Sequence, residues 1–172
     1  MLTRRTFGLA GLGLAAAAAS GLSAKRAHAN EETMTTTTSA PYEITKTPEE
    51  WRRVLTPEQF HVLREHGTER AGTSPLDKNY AEGLYLCAGC ALPLFSSETK
   101  FNSGTGWPSF YKPLHNAVGS TVDKSFFMTR TEIHCRRCGG HLGHVFEDGP
   151  PPTGLRYCMN GVALKFVPKA TG

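Results

Sequence analysis

Two short helical patterns begin with the same local signal. Residues 47–50 read Thr-Pro-Glu-Glu and residues 56–59 read Thr-Pro-Glu-Gln. In each, Thr can cap the free backbone N–H groups, Pro fits the first turn, and Glu or Gln completes a capping box. We predict two short helices that cover one side of a sheet, the second ending near Gly67. The apolar residues at helical spacing are Trp51, Val54, Leu55, Phe60 and Leu63.

From Gly83 onward, short runs with strand-like alternation are separated by Gly, Pro and Asn. Asn160-Gly161 lies between the last two runs and predicts a two-residue type I′ hairpin, because both central positions require positive φ. The pattern therefore predicts a mainly β domain preceded by short helices. The predicted strands are 83–87, 126–135, 144–146, 156–160 and 162–167.

Residues 1–29 have the features of an export signal. Arg4-Arg5 precede a Gly/Ala-rich apolar run over 8–22, and Ala27-His28-Ala29 is an A-x-A cleavage pattern. The run is too short and too rich in Gly and Ala for a comfortable membrane span. The paired arginines favour a twin-arginine signal over an ordinary secretory leader or an uncleaved tail. We predict export to the periplasm and no stable membrane association.

The rest of the chain divides into three parts. Residues 30–46 contain a run of Thr and few apolar side chains, which predicts a disordered linker. The domain is expected at 47–168, with a tail at 169–172. The net charge is +4, but four of the 19 basic residues lie in 1–29 and the other 15 equal the 15 acidic residues. A near-neutral domain without a basic cluster argues against nucleic acid as a partner.

The five cysteines form two C-x-x-C pairs and one single residue. Four thiolates can close a tetrahedral zinc site, and the closed coordination would make the ion structural. Two disulfides or a redox-active C-x-x-C are the alternatives, since an oxidising compartment permits them. We predict one zinc ion because all four paired thiols would be used and both pairs adjoin turn-like sequence. The predicted ligands are Cys87, Cys90, Cys135 and Cys138.

The single cysteine, Cys158, is the candidate nucleophile, although a lone cysteine is most often an inert buried residue. Strand alternation places Arg156 and Asn160 on its face, where the cation can lower the thiol pKa and the amide can donate a hydrogen bond. His141 and His144 suit proton transfer, with structural roles or zinc ligation as alternatives. Polar groups around a thiol on one strand face favour a reactive site.

Three longer motifs carry a resemblance to a known family. They are Gly-Trp-Pro-Ser-Phe at 106–110, Cys-x-x-Cys-Gly-Gly-His-Leu-Gly-His-Val-Phe at 135–146, and Asp-Gly-Pro at 148–150 continuing to Arg-Tyr-Cys-Met-Asn-Gly at 156–161. Over residues 47–168 the chain resembles the methionine-R-sulfoxide reductases of the MsrB type. The resemblance implies two antiparallel β-sheets with short N-terminal helices, and a zinc site far from the active site.

The resemblance also implies a chemistry. Cys158 would attack the sulfoxide sulfur of oxidised methionine in proteins or peptides, and a histidine, His144 before His141, would help to protonate the oxygen. Methionine would leave with Cys158 as a sulfenic acid. Trp107 would receive the substrate methyl group, although such an aromatic more often packs. The resemblance also implies that Asn160 joins the histidines in the polar lining. We further predict Arg156 and Phe146 as substrate-binding residues.

Thr105 departs from a common pattern of that family, in which many members carry a resolving cysteine at this position. Because no other free thiol remains, we predict that an external thiol reduces the sulfenic acid, such as a thioredoxin-like protein of the export compartment. A non-enzymatic zinc-binding module is the main alternative, but it leaves Cys158 and Trp107 unexplained. A hydrolytic zinc enzyme would need an open coordination position.

Overall fold

The computed structural model describes residues 42–125 and 128–170. The predicted signal at 1–29 and most of the predicted linker lie outside these ranges. Among the helices described, none has the length and apolar character needed to cross a membrane. The elements are α1 (Pro48–Val54), α2 (Pro57–Glu65), β1 (Gly83–Cys87), β2 (Pro93–Ser96), β3 (Lys100–Phe101), β4 (Ser109–Phe110), β5 (Val118–Asp123), β6 (Arg130–Cys135), β7 (His141–Phe146), β8 (Arg156–Met159) and β9 (Leu164–Pro168).

Both helices begin with the predicted capping boxes. The Thr47 hydroxyl accepts from the Glu50 N–H, and the Glu50 carboxylate accepts from the Thr47 N–H; Thr56 repeats this arrangement in α2. α2 packs against β7, which confirms that it covers a sheet. It ends at Glu65, and His66, not a glycine, takes the left-handed conformation with φ 56°.

The strands form two antiparallel sheets, as predicted. The smaller has the order β2-β1-β9 and the larger has the order β3-β4-β8-β7-β6-β5. Tyr85 and Phe95 of the smaller sheet pack on Phe110 of the larger one, with ring centroids 4.9 and 4.4 Å from that of Phe110. All three rings are fully buried, so the core lies between the two sheets.

The predicted type I′ hairpin at Asn160-Gly161 is wrong. Asn160 has φ −66° and ψ 120°, and Gly161–Ala163 form a 3-10 turn. β8 and β9 then enter different sheets. The buried Asn160 side chain accepts a hydrogen bond from the Glu69 N–H. This tertiary contact outweighs the local preference of Asn-Gly for a positive-φ turn.

The other differences lie at element boundaries and in short strands. β7 begins at His141, three residues before the predicted start, and β2 to β5 were not predicted. β3 and β4 have two residues each, which is too short for an alternating pattern, and β5 is an edge strand with few buried side chains. Phe126 and Phe127 of the predicted strand 126–135 lie outside the described residues.

The last residues of the predicted linker, 42–46, lie against the domain. The Ile44 N–H donates to the Arg137 carbonyl oxygen at 3.0 Å, and the Ile44 side chain packs on the core. The Tyr42 ring contacts the His134 ring edge to face, with centroids 5.8 Å apart. At least five residues before the predicted boundary at Thr47 therefore lie beside the domain in this structure. Composition alone did not indicate these contacts, because their partners lie about 90 residues away in sequence.

Candidate active site

Cys158 lies in β8 between two neighbouring strands. Its Cα pairs with Ser109 on β4 and with His144 on β7. Its sulfur opens into a pocket of about 120 Å³. The predicted site residues that line this pocket are Cys158, Trp107, His144, Phe146 and Asn160. His141 and Arg156 do not line it, so the structure brings together five of the seven predicted catalytic and substrate-binding residues.

Arg156 lies on the Cys158 side of β8 but is bound mainly to other groups. Its guanidinium donates two hydrogen bonds to the Asp148 carboxylate, both at 2.8 Å, and stacks over the Phe146 ring at 4.4 Å. Burial raises the pKa of Cys158, and the Thr105 hydroxyl and the Arg156 charge offset this only in part. Arg156 thus acts on the thiol pKa in the predicted direction, but the net shift is upward because desolvation of the thiolate is the larger effect.

His144 is held by a carboxylate that the sequence analysis did not single out. Its Nε2 lies 2.8 Å from Asp123 Oδ2. Hydrogen bonds hold the pKa of Asp123 well below its usual range, and those from Ser125 contribute more than the one from His144. Burial lowers the pKa of His144 more than Asp123 raises it, so the neutral imidazole dominates at neutral pH. The contact with Asp123 leaves Nδ1 as the nitrogen available to a substrate.

His141 lies behind His144 and is almost fully buried, with 2% of its surface exposed. Its Nδ1 is 2.9 Å from Oε1 of the buried Glu132, which also contacts Thr121 and His134. The rings of His141 and His144 meet edge to face with centroids 5.4 Å apart. His141 is thus in a position to orient His144 and lies outside the pocket lining.

Asn160 and Trp107 are both bound to the loop that follows α2. Asn160 Nδ2 donates to the Leu142 carbonyl oxygen at 3.1 Å, and Asn160 Oδ1 accepts from the Glu69 N–H at 2.9 Å. The Trp107 indole N–H donates to the Glu69 carbonyl oxygen at 3.2 Å. The predicted hydrogen bond from Asn160 to the thiol is therefore replaced by bonds to backbone groups.

The four paired cysteines converge at two tight turns, one after β1 and one after β6. Their sulfur atoms all lie within 4.8 Å of one another. Two of the separations are 3.7 Å, between Cys87 and Cys138, and 3.5 Å, between Cys90 and Cys135. A zinc tetrahedron with Zn–S bonds of about 2.3 Å has edges of about 3.8 Å, so the four thiols fit a metal of this size. All five cysteines are free thiols, so the alternative of two disulfides is not formed in this structure.

Comparison with known proteins agrees with this arrangement. A family model described as the SelR domain matches residues 55–168. A peptide methionine sulfoxide reductase MsrB of Leptospira interrogans is 57% identical over 126 residues, which cover 73% of this chain and 96% of that protein. This chain belongs to the MsrB family. Proteins of the same name from Agrobacterium fabrum and Pseudomonas syringae are each 56% identical to this chain. The matches cover 73% and 74% of this chain, and 93% and 98% of those two proteins.

The MsrB-family region contains all the predicted site residues, and the structure adds three that the sequence analysis missed. Asp123 and Glu132 support the two histidines, and Glu69 supports Trp107 and Asn160. Asp123 is the last residue of β5, Glu132 lies within β6, and Glu69 lies in an irregular loop. None of the three stands beside a motif, so only the tertiary contacts identify them.

Proposed function

We propose that this chain reduces the R epimer of protein-bound methionine sulfoxide, with Cys158 as the nucleophile. The observation that carries the proposal is the pocket in which the Cys158 sulfur faces an aromatic wall, Trp107, and a carboxylate-bound imidazole, His144. The relatives named peptide methionine sulfoxide reductase support the choice of substrate. The decisive test is whether the protein reduces the R epimer in preference to the S epimer, and whether this activity requires Cys158.

The proposed reaction transfers the sulfoxide oxygen to Cys158. The thiolate attacks the sulfoxide sulfur and forms a sulfur–sulfur bond, and one proton reaches the oxygen. The oxygen then passes to the Cys158 sulfur while the sulfur–sulfur bond and the sulfur–oxygen bond of the substrate break. The substrate sulfur is reduced by two electrons to methionine, and Cys158 is oxidised by two electrons to a sulfenic acid. The imidazolium form of His144, which is the minor form at neutral pH, is placed to supply this proton through Nδ1 because Asp123 holds its other nitrogen. Trp107 would hold the methyl group and so distinguish the epimers.

We propose zinc as the ion of the four-cysteine site. The set of four thiols, three of them buried, matches the ligands of structural zinc. When bound, the ion would supply a cross-link between the turn after β1 and the turn after β6. Such a link joins the two sheets, since β1 belongs to the smaller and β6 to the larger. No step of the proposed reaction involves it.

The pH dependence should separate thiol reactivity from sulfoxide reduction. Alkylation of Cys158 by iodoacetamide is expected to rise about tenfold per pH unit between about pH 6 and pH 8, because its raised pKa keeps the thiolate a minor form there. The sulfoxide kcat/KM should change less than about threefold between pH 7 and pH 8, because the step consumes a thiolate and a proton together.

The weak pH dependence of kcat/KM follows from the opposite pKa shifts of His144 and Cys158. As pH rises between the lowered pKa of His144 and the raised pKa of Cys158, imidazolium decreases as fast as thiolate increases. The product of the imidazolium fraction and the thiolate fraction stays constant, so kcat/KM does not change with pH in this range. Alkylation of Cys158→Ser gives the background from the other thiols. A sulfoxide kcat/KM that rose in parallel with alkylation would rule out proton donation by His144.

We propose that the sulfenic acid is reduced directly by an external thiol. Thr105 Oγ1 lies 3.9 Å from the Cys158 sulfur, so a hydroxyl stands beside the thiol that is oxidised. The four other thiols are gathered in the metal site. The export signal predicted for residues 1–29 would place the enzyme with a thioredoxin-like reductant of that compartment.

Mass spectrometry of the protein after one turnover without reductant tests the external-thiol proposal. The expected product is a single Cys158 sulfenic acid, trapped by dimedone, with zinc still bound. The matched variant Thr105→Cys should instead form a disulfide between residues 105 and 158, since the two side chains are adjacent. A disulfide from Cys158 to a metal-site cysteine in the wild-type protein would disprove the proposal.

A further inference from the structure

Glu69, in the loop between α2 and β1, binds two walls of the active-site pocket through its backbone. Its carbonyl oxygen accepts from the Trp107 indole at 3.2 Å, and its N–H donates to the Asn160 side chain at 2.9 Å. Trp107 and Asn160 come from separate parts of the sheet region and both line the pocket with Cys158. The backbone position of Glu69 therefore affects where both walls lie.

The Glu69 side chain fixes that backbone position. Its Oε1 accepts from the Gly161 N–H at 2.6 Å and its Oε2 accepts from the Val162 N–H at 2.9 Å. These N–H groups begin the 3-10 turn after β8 and have no partner within the turn itself. The Glu69 carboxylate thus binds the two residues that follow Asn160. Together with the bond from the Glu69 N–H to the Asn160 side chain, the loop is joined to three successive residues after β8.

The close approach at Gly161 shows how tightly this loop fits. A Cβ at position 161 would lie 3.3 Å from Glu69 Oε1 and would collide with the Ser74 side chain. A second contact, from the Gly72 N–H to the Gly106 carbonyl oxygen at 2.7 Å, ties the same loop to the segment before Trp107. This backbone contact does not involve the Glu69 carboxylate, so a change of that carboxylate should leave the loop attached.

We propose that Glu69 is a positioning residue for sulfoxide reduction, acting through Trp107 and Asn160; this inference rests on the proposed function. The carboxylate has no place in the pocket lining and does not touch Cys158. Its effect is on geometry: reacting groups must be held within about 0.5 Å of the productive arrangement. Loss of the bidentate contact would let the indole wall and the amide move relative to the sulfur.

Glu69→Gln tests the proposal, because an amide offers one acceptor oxygen where the carboxylate offers two. The kcat/KM for an R-sulfoxide peptide is expected to fall at least about tenfold. The rate constant for alkylation of Cys158 should stay within about twofold of wild type, since the thiol's own contacts are unchanged. The control is Glu82→Gln, which loses only an exposed ion pair with Lys169 and should match the wild type in both assays.

Trp107 fluorescence gives a readout that does not depend on turnover. Glu69→Gln should shift the emission spectrum, and the shift should vanish when the same change is made in a Trp107→Phe background, where only Trp51 remains. Glu69→Asp keeps the charge on a side chain one methylene shorter, so it should give a smaller loss of kcat/KM. It also serves as the test variant if Glu69→Gln is recovered unfolded.

The outcomes distinguish this inference from the proposed function. A wild-type protein without sulfoxide reduction would contradict the proposed function. An active wild type with kcat/KM and emission unchanged in Glu69→Gln would contradict the positioning role alone. Equal losses of sulfoxide reduction and of Cys158 alkylation in both Glu69 variants would also overturn it, because they would indicate general destabilisation.

Discussion

Replacing Cys158 with Ser is expected to lower kcat/KM for the R-sulfoxide at least about a thousandfold. A serine hydroxyl is scarcely ionised at neutral pH, and it cannot hold the transferred oxygen as a sulfenic acid. The substitution changes little in volume, and Cys158 is only partly buried, so the fold should persist. The measurement is methionine release from R- and S-sulfoxide peptides with a dithiol as reductant.

Zinc content and thermal unfolding of Cys158→Ser serve as the controls, and both should equal those of the wild type. The wild-type protein should reduce the R epimer at least about tenfold faster than the S epimer, because in the proposed reaction Trp107 would hold the methyl group and His144 would face the oxygen on another side of the sulfur. Reduction of the R epimer by Cys158→Ser at the wild-type rate would refute the assigned nucleophile.

Cys138→Ser is expected to prevent stable folding. The Cys138 sulfur is buried and lies 3.7 Å from that of Cys87. Its loss leaves only three thiols at the metal site. Structural zinc binds with an apparent free energy of about 10–16 kcal/mol in small domains, whereas native domains are stable by about 5–15 kcal/mol. Losing the proposed zinc ion would therefore remove a free energy as large as the whole stability of a typical domain.

Metal analysis and thermal unfolding test this prediction. Wild type and Cys158→Ser should each contain one zinc ion per chain, and Cys138→Ser should contain less than about a tenth of that. Cys138→Ser should unfold at least about 15 °C lower or be recovered insoluble, and a strong chelator should have a similar effect on the wild type. A Cys138→Ser protein with one bound zinc ion and an unchanged unfolding temperature would show that the ligand set is misassigned.

Local signals in the sequence predicted the elements that depend on near neighbours. The capping boxes at Thr47 and Thr56 form as expected because each joins residues three positions apart. The hairpin expected at Asn160-Gly161 does not form, because Glu69, about 90 residues away, binds the Asn160 side chain and the two N–H groups that follow it. A long-range contact thus overrides a strong local preference.

The candidate site shows the same contrast between local sequence signals and long-range contacts. Cys158, His144 and Trp107 stand in recognisable motifs, whereas Asp123 and Glu69 lie outside them and act through contacts that only the fold creates. The direction of the Cys158 pKa shift also needed the structure. The nearby Arg156 favours the thiolate, but the depth of the sulfur and the pairing of Arg156 with Asp148 decide the outcome.

By itself the sequence determined the residue types that can do the chemistry: one single thiol, two histidines beside the second C-x-x-C pair, an aromatic wall and four thiols for a metal. The tertiary structure decided which carboxylates hold the imidazoles, how acidic the thiol is, and how the loop after α2 fixes the pocket. The physical reason is that desolvation and hydrogen-bond partners depend on the distance between atoms in the folded chain, which residue spacing does not encode.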